Sequence, residues 1–168
     1  GIGIAMLAYG VLMLIGVAAN NPDPLQPLRG LAGLPSAAGA RSPGPAKLAF
    51  RSVGSLAELN RMLADAAARG QTVMLDFYAD WCVSCKEMER YTFTDPRVIE
   101  ALSPLLLLKA DVTENSEANA ALMKHFGLVG PPATLFFAPD GAERKPLRVI
   151  GYLEADAFLG HVNKVLHP

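Results

Sequence analysis

The only two cysteines of this chain, Cys82 and Cys85, lie three residues apart. A structural zinc site usually needs four ligands, and the three histidines of the chain lie at no partnering spacing. An inert structural disulfide is a second possibility, although so short a loop constrains the unfolded chain little. A pair of cysteines that alternates between the dithiol and the disulfide form explains the spacing better. We therefore favour a redox-active pair that needs no metal or other cofactor.

The sequence around the cysteines gives each sulfur a role. The apolar run 72–79 predicts a strand at the centre of a sheet, and a helix is predicted from about Cys82 to Arg90. Cys82 then begins a helix, where free amides and the helix dipole stabilise a thiolate. Cys85 lies one turn further in. We expect Cys82 to attack a partner disulfide and Cys85 to resolve the mixed disulfide.

Two acidic residues are candidates for adjusting the sulfurs. Asp76 interrupts the predicted central strand, where an unpaired charge is costly. Glu89 follows Cys82 by seven residues and Cys85 by four, which predicts one shared helix face. We expect both carboxylates to raise the pKa of the thiols and to relay protons. The alternatives are a hydrogen-bonded structural acid for Asp76 and a solvated surface residue for Glu89.

Three further residues are candidates for contacting a substrate. Trp81 directly precedes the cysteine pair and would offer partners an apolar surface, unless it is a core residue. Pro131 and Pro132 stand directly before the predicted strand 133–138. Two prolines there fit a tight turn, and a cis bond before Pro132 would expose a backbone edge for an extended segment of substrate.

Residues 46–168 are predicted to form one α/β domain with the element order β-α-β-α-β-α-β-β-α. Because a short turn joins the last two strands, the sheet should mix parallel and antiparallel pairing. The predicted strands are 47–53, 72–79, 105–112, 133–138 and 147–152. Helices are predicted from a capping box at 55–58, over 82–90, from Asp95, and over 116–126 and 154–166.

The first 45 residues differ in composition from this domain. Residues 1–19 contain no charge, and as a helix they would be about 28 Å long, close to the bilayer core. They predict a transmembrane helix, with a signal peptide or a core helix as alternatives. Residues 20–45 are rich in proline and glycine and predict a linker. The chain starts with Gly1, so we expect it to be the end of a longer protein. Its net charge of −1 gives no reason to expect a nucleic-acid partner.

The motif "DFYADWCVSCK", with a proline before "TLFF" downstream, resembles thioredoxin. The longer pattern "VMLDFYADWCVSCKEMERYTFTDPRV", followed by "DVT" and "GPPATLFF", resembles a narrower group. That group is the C-terminal domain of the DsbD family of bacterial thiol:disulfide interchange proteins, which are protein-disulfide reductases. The resemblance covers roughly residues 47–166. The apolar start and the linker also fit, because the last transmembrane helix of that family precedes this domain.

The resemblance implies a thioredoxin-like fold in the periplasm, anchored to the bacterial inner membrane. It implies that electrons arrive from a membrane-embedded cysteine pair of the same longer protein. They would leave to an N-terminal periplasmic domain, which reduces disulfide isomerases and thioredoxins of cytochrome c maturation. Cys82 and Cys85 carry over as the redox pair, Asp76 and Glu89 as the acids that tune it, and Pro132 as the cis proline.

Pro131 departs from the family pattern, in which a non-proline residue is usual at this position. The backbone there lacks an N–H group, so this position cannot donate a backbone hydrogen bond to a partner. Two other functions remain as alternatives: a singly anchored thioredoxin for cytochrome maturation, and a non-catalytic binding module or chaperone. The direction of electron flow does not follow from the two residues between the cysteines.

Overall fold

The computed structural model describes residues 47–167, together with Gly3, Met6 and Leu7. The predicted transmembrane helix 1–19, apart from those three residues, and the predicted linker 20–45 lie outside the described residues. Within the described part of the chain, no helix is both long and apolar enough to cross a membrane.

Five strands form one sheet in the order β1-β3-β2-β4-β5. β3 pairs in parallel with both β1 and β2, whereas β4 runs antiparallel to β2 and to β5. This confirms the predicted mixed sheet. The strands are β1 (Arg51–Ser52), β2 (Val73–Tyr78), β3 (Leu106–Asp111), β4 (Ala133–Phe137) and β5 (Val149–Ile150).

The helices follow the predicted order, with one interruption after the cysteines. They are α1 (Leu56–Ala68), α2 (Val83–Glu87), α3 (Pro96–Leu102), α4 (Glu117–Phe126) and α5 (Ala155–Leu166). A π-helical turn, Met88–Thr92, directly follows α2, and a short 3-10 turn, Lys145–Leu147, precedes β5.

Both edge strands are shorter than predicted. The predicted strand 47–53 pairs only at Arg51–Ser52, because Leu48 and Phe50 pack their side chains on the hydrophobic core instead. The predicted strand 147–152 pairs only at Val149–Ile150 and ends at Gly151, which has a φ of 91°. That φ is accessible to glycine and strained for other residues.

Capping residues explain where α1 begins. The Ser55 hydroxyl accepts a hydrogen bond from the Glu58 N–H at 3.2 Å. The Glu58 carboxylate accepts one from the Gly54 N–H at 2.9 Å, one residue earlier than in the usual capping box. Asp95, where a helix was predicted to begin, caps α3 in a similar way, and Pro96 is the first residue of that helix.

The sheet is covered on both faces. On one face, β2 packs Leu75 and Phe77 against residues of α1 and α4. On the other face, Met74 of β2 and Phe136 of β4 pack against α3 and α5. Burial on both faces explains why β2 is an almost continuous apolar run. The packing on both faces therefore fixes the position of the carboxyl end of β2, which the cysteines follow in the sequence.

Candidate redox site

Cys82 and Cys85 are joined by a disulfide, with their Cα atoms 5.3 Å apart. Cys82 is the N-cap of α2, and its Sγ accepts a hydrogen bond from the Cys85 N–H at 3.1 Å. The same N–H would stabilise a thiolate on Cys82 in the reduced protein. Both residues are buried, Cys82 at 7% exposure and Cys85 at 3%. Cys82 is thus the more accessible of the two by a small margin.

Asp76 lies on β2, six residues before Cys82, and is almost fully buried. Its neighbours in the sheet are Thr134 on β4 and Lys109 on β3. The Thr134 hydroxyl donates a hydrogen bond to Asp76 Oδ1 at 3.2 Å. Burial raises the pKa of Asp76 to about 7, against the lowering effects of the Lys109 charge and of the Thr134 hydrogen bond. A carboxyl with such a pKa can both take up and release a proton near neutral pH.

Glu89 is half-buried, and its carboxylate forms an ion pair with the Lys109 ammonium group. Its charge contributes to the raised pKa of Asp76, although less than burial does. Asp76 and Glu89 therefore interact with the same cation. Glu89 is therefore paired with Lys109, and its role in tuning the cysteines stays a prediction.

The predicted helix 82–90 is wrong in its second half. α2 ends at Glu87, and Glu89 belongs to the π-helical turn, in which the Phe93 N–H bonds to the Met88 carbonyl at 2.8 Å. Glu89 and the two cysteines therefore do not share the one face of a continuous α-helix that the spacing had predicted. The turn has a tertiary cause: Met88 Sδ accepts a hydrogen bond from the Leu153 N–H at 3.4 Å, and the Thr92 hydroxyl donates one to the Leu153 carbonyl at 2.6 Å.

Trp81 is an exposed residue, with 60% of its surface accessible, so it is not part of the core. Its indole Nε1–H donates to the Thr113 carbonyl at 3.1 Å, which fixes the ring beside the loop after β3. Val83, on the other side of Cys82 in the sequence, is 72% exposed. Two exposed apolar side chains thus flank the buried Cys82.

The peptide bond between Pro131 and Pro132 is cis, as the resemblance implied. Both residues are half-buried, and the Pro132 carbonyl accepts a hydrogen bond from the Gly151 N–H at 3.0 Å. Ala133, the first residue of β4, pairs with Phe77 near the carboxyl end of β2. The prolines therefore lie at the same edge of the sheet as the cysteines, because the chain leaves β2 at that edge to reach Cys82.

Sequence reasoning missed Lys109, Thr134 and Phe50. Lys109 had a usable signal, since it interrupts the apolar run of β3 just as Asp76 interrupts that of β2. Thr134 and Phe50 had none, because their contacts join elements far apart in the sequence. In the part of the chain that the structure describes, no three His, Cys, Asp or Glu side chains are grouped so that they could hold a metal ion.

Comparisons with known proteins agree with this geometry. Residues 55–139 match a family model described as thioredoxin-like. The thiol:disulfide interchange protein DsbD of Ralstonia nicotianae is 47% identical over 165 residues, which are 98% of this chain and 26% of that protein. DsbD of Salmonella typhimurium is 49% identical over 119 residues, or 71% of this chain and 21% of that protein. The chain thus spans about a quarter of the length of these relatives.

Solved structures show the same fold. The oxidised C-terminal domain of DsbD from Neisseria meningitidis is 34% identical and has a TM-score of 0.60. The match covers 68% of this chain and 99% of that domain. A thioredoxin from Thermus thermophilus, 22% identical with a TM-score of 0.57, supports the fold alone. The chain therefore has a thioredoxin-like α/β fold and belongs to the DsbD family of thiol:disulfide interchange proteins.

Proposed function

We propose that this chain is a thiol–disulfide oxidoreductase module of a longer protein in the bacterial inner membrane. Residues 1–19 would anchor it, and residues 46–168 would form its periplasmic domain. Electrons would arrive from a membrane-embedded cysteine pair and leave to periplasmic disulfide proteins, including those that serve disulfide isomerases and cytochrome c maturation. The observation that carries the proposal is the Cys82–Cys85 bond, formed at the start of a helix between exposed apolar side chains.

The exchange takes place in two steps. In the reduced domain, the Cys82 thiolate attacks one sulfur of a partner disulfide. The partner's disulfide breaks, its other sulfur leaves as a thiolate that takes up a proton, and a mixed disulfide forms. Cys85 then loses its proton and attacks the Cys82 sulfur. The mixed disulfide breaks, the partner leaves as a dithiol, and the chain keeps the Cys82–Cys85 bond. Two electrons and two protons have passed to the partner.

Asp76 is the group that best fits the proton movement in the second step. Cys85 must lose a proton before it attacks, and the pKa of Asp76 is about 7 because the carboxyl is buried. Near physiological pH, both the protonated and the ionised form of the Asp76 carboxyl are therefore populated. Glu89 would act on the same step through Lys109, whose charge both carboxyl groups share.

A partner would meet the domain at the edge of the sheet where Trp81, Val83 and the Pro131–Pro132 turn lie. The two exposed side chains offer apolar contact. An extended segment of the partner can donate to the Pro131 carbonyl, but Pro131 has no N–H group to donate in return. Contact with a partner would therefore depend more on side chains than on paired backbones, which suits a module that must release its partners.

The reduction potential of the cysteine pair, measured on the full chain in glutathione buffers, tests this proposal. A module that reduces other proteins should have a potential well below that of DsbA, about −120 mV. A value as oxidising as that contradicts the proposed direction of flow. A second test compares two variants: Cys85→Ser should accumulate a mixed disulfide through Cys82, and Cys82→Ser should not. Partner binding that is unchanged in Cys82→Ser would instead support a non-catalytic binding module.

A further inference from the structure

The Lys109 ammonium group is held on several sides at once. Its side chain, on the inner strand β3, is 22% exposed and pairs with Glu89. Nζ also lies 4.9 Å from the centroid of the Phe50 ring and 4.7 Å from that of the Tyr78 ring. Both distances are within the range of cation–π attraction. We call Phe50 and Tyr78, with the ammonium group between them, the aromatic cage.

Phe50 reaches the cage from residues 47–50, which precede β1 and pair with no strand. Its ring packs against Phe93 with the centroids 5.7 Å apart, and Phe93 packs edge-to-face against Phe158 with the centroids 5.5 Å apart. A cavity of about 410 Å³ lies beside the cage and is lined by the Phe50 ring and by Lys109. Without the ring, the ammonium group would have more room and more water around it.

We propose that Phe50 is a positioning residue that, with Tyr78, holds the Lys109 ammonium group beside Asp76. This inference rests on the proposed function, in which Asp76 exchanges a proton with the cysteines. A lysine side chain has four rotatable bonds, so its charge moves away from a neighbour unless contacts hold it. Two ring faces supply such contacts without a competing charge. The cage therefore keeps a cation close to the buried carboxyl and limits how far burial can raise the proton affinity of that carboxyl.

The charges around the cage decide how it responds to pH. Burial and a hydrogen bond raise the pKa of Tyr78 to about 12, so its ring stays neutral under ordinary conditions. In the reduced protein the cysteine thiols also titrate. Asp76 on β2 is the titratable group that the cage is proposed to affect. The other titratable or charged groups near the cage are Glu89 in the π-helical turn, Lys47 at the cavity, and Asp80 and Asp111 near the Tyr78 hydroxyl.

The test is a pH titration of the Asp76 carboxyl carbon by NMR on the full chain, assigned with Asp76→Asn. Phe50→Leu removes the ring and should raise the Asp76 midpoint by about half a pH unit. The pH profile of Cys82 alkylation in the reduced chain should move in the same direction. Phe50→Trp keeps a ring face and should restore both readouts. A wild-type midpoint in folded Phe50→Leu overturns the proposal.

Phe158→Leu is the matched control, because it removes another ring that packs on Phe93 and leaves both rings that contact Lys109 in place. It should lower stability and leave the Asp76 midpoint unchanged; an equal shift in both variants overturns the proposal. If Phe50→Leu does not fold, Tyr78→Leu compared with Tyr78→Phe tests the other ring. A shift in the first variant only supports the cage, and the same midpoint in both overturns it. The titration needs no partner protein, so it remains decisive even if the proposed electron transfer fails its own test.

Discussion

Asp76 and Lys109 are register partners on the neighbouring strands β2 and β3, so their side chains leave the sheet on the same face, and the Lys109 charge acts on the buried Asp76 carboxyl. Two opposing effects meet at this pair. Burial raises the pKa of Asp76, and the Lys109 charge lowers it, with burial the larger effect. The result, a pKa of about 7, is suited to proton exchange with thiols.

Removing the cation should make the carboxyl harder to ionise. In Lys109→Met we expect the pKa of Asp76 to rise above 7, by roughly one unit or more, because the largest lowering effect is lost. Single-turnover reduction of a disulfide substrate, followed from pH 5 to pH 9, should show its midpoint displaced upward. Lys124→Met, which removes an exposed lysine of α4, is the control. Superimposable profiles for Lys109→Met and the wild-type chain would argue against a role for Lys109.

Neutralising either acid should make Cys82 more acidic. We expect Asp76→Asn and Glu89→Gln each to lower the pKa of the Cys82 thiol by roughly half a unit to one unit, because a nearby negative charge disfavours the thiolate. The rate of alkylation of the reduced chain as a function of pH measures this. Glu117→Gln removes an exposed carboxylate of α4 and should change nothing. If neither acid variant moves the thiol titration downward, the tuning role is wrong.

The buried acid should also make stability depend on pH. The pKa of Asp76 is raised from 3.8 to about 7 in the folded chain, so the folded state binds its proton more tightly than the unfolded state does. The protonated carboxyl thus favours folding fully below about pH 4, and this advantage is lost as the pH rises towards 7. The loss is on the order of 4 kcal/mol.

Urea unfolding of the oxidised chain at pH 4.5 and pH 7.5 checks this expectation. Other groups titrate as well; hydrogen bonds to Arg97, for example, lower the pKa of Asp95 to about 2. The useful quantity is therefore the difference in unfolding free energy between the wild-type chain and Asp76→Asn. That difference should change in favour of the variant as the pH rises. A constant difference would show that the carboxyl stays charged throughout.

Trp81 should matter for proteins more than for small disulfides. Its ring is exposed and held by the Thr113 carbonyl, so Trp81→Ala should leave folding almost unchanged. We expect kcat/KM for a protein disulfide such as insulin to fall roughly tenfold, as for an interface residue worth about 1.4 kcal/mol. The rate with a small aromatic disulfide should stay near that of the wild-type chain. Tyr91→Ala, another exposed aromatic residue, is the control; equal losses in the two variants would contradict a specific role for Trp81.

Local sequence features predicted much of the fold. The apolar runs located β2 and β3, and the cap residues Ser55 and Asp95 located the starts of α1 and α3. The spacing of the cysteines and the charge within a buried strand pointed to Cys82, Cys85 and Asp76. These features depend on residues close in the sequence or on burial, so composition and periodicity are enough to reveal them.

The parts that sequence reasoning missed depend on contacts between distant elements. The π-helical turn forms because Met88 and Thr92 bind Leu153, more than sixty residues away. Without that contact the segment 82–90 has the pattern of one continuous helix. The cage is similar, because Phe50 and Lys109 meet only once β1 and β3 are adjacent. No periodic pattern in the sequence predicts such a contact.

The π-helical turn has a consequence for engineering this domain. Leu153 has its N–H bound by Met88 and its carbonyl by Thr92, while Gly151, two residues earlier, is tied to Pro132. Through these hydrogen bonds, the short connection after β5 links the segment that follows the cysteines to the Pro131–Pro132 turn. A graft or a deletion in this connection would loosen both at once, so residues 88 and 92 would have to be redesigned together with any new loop.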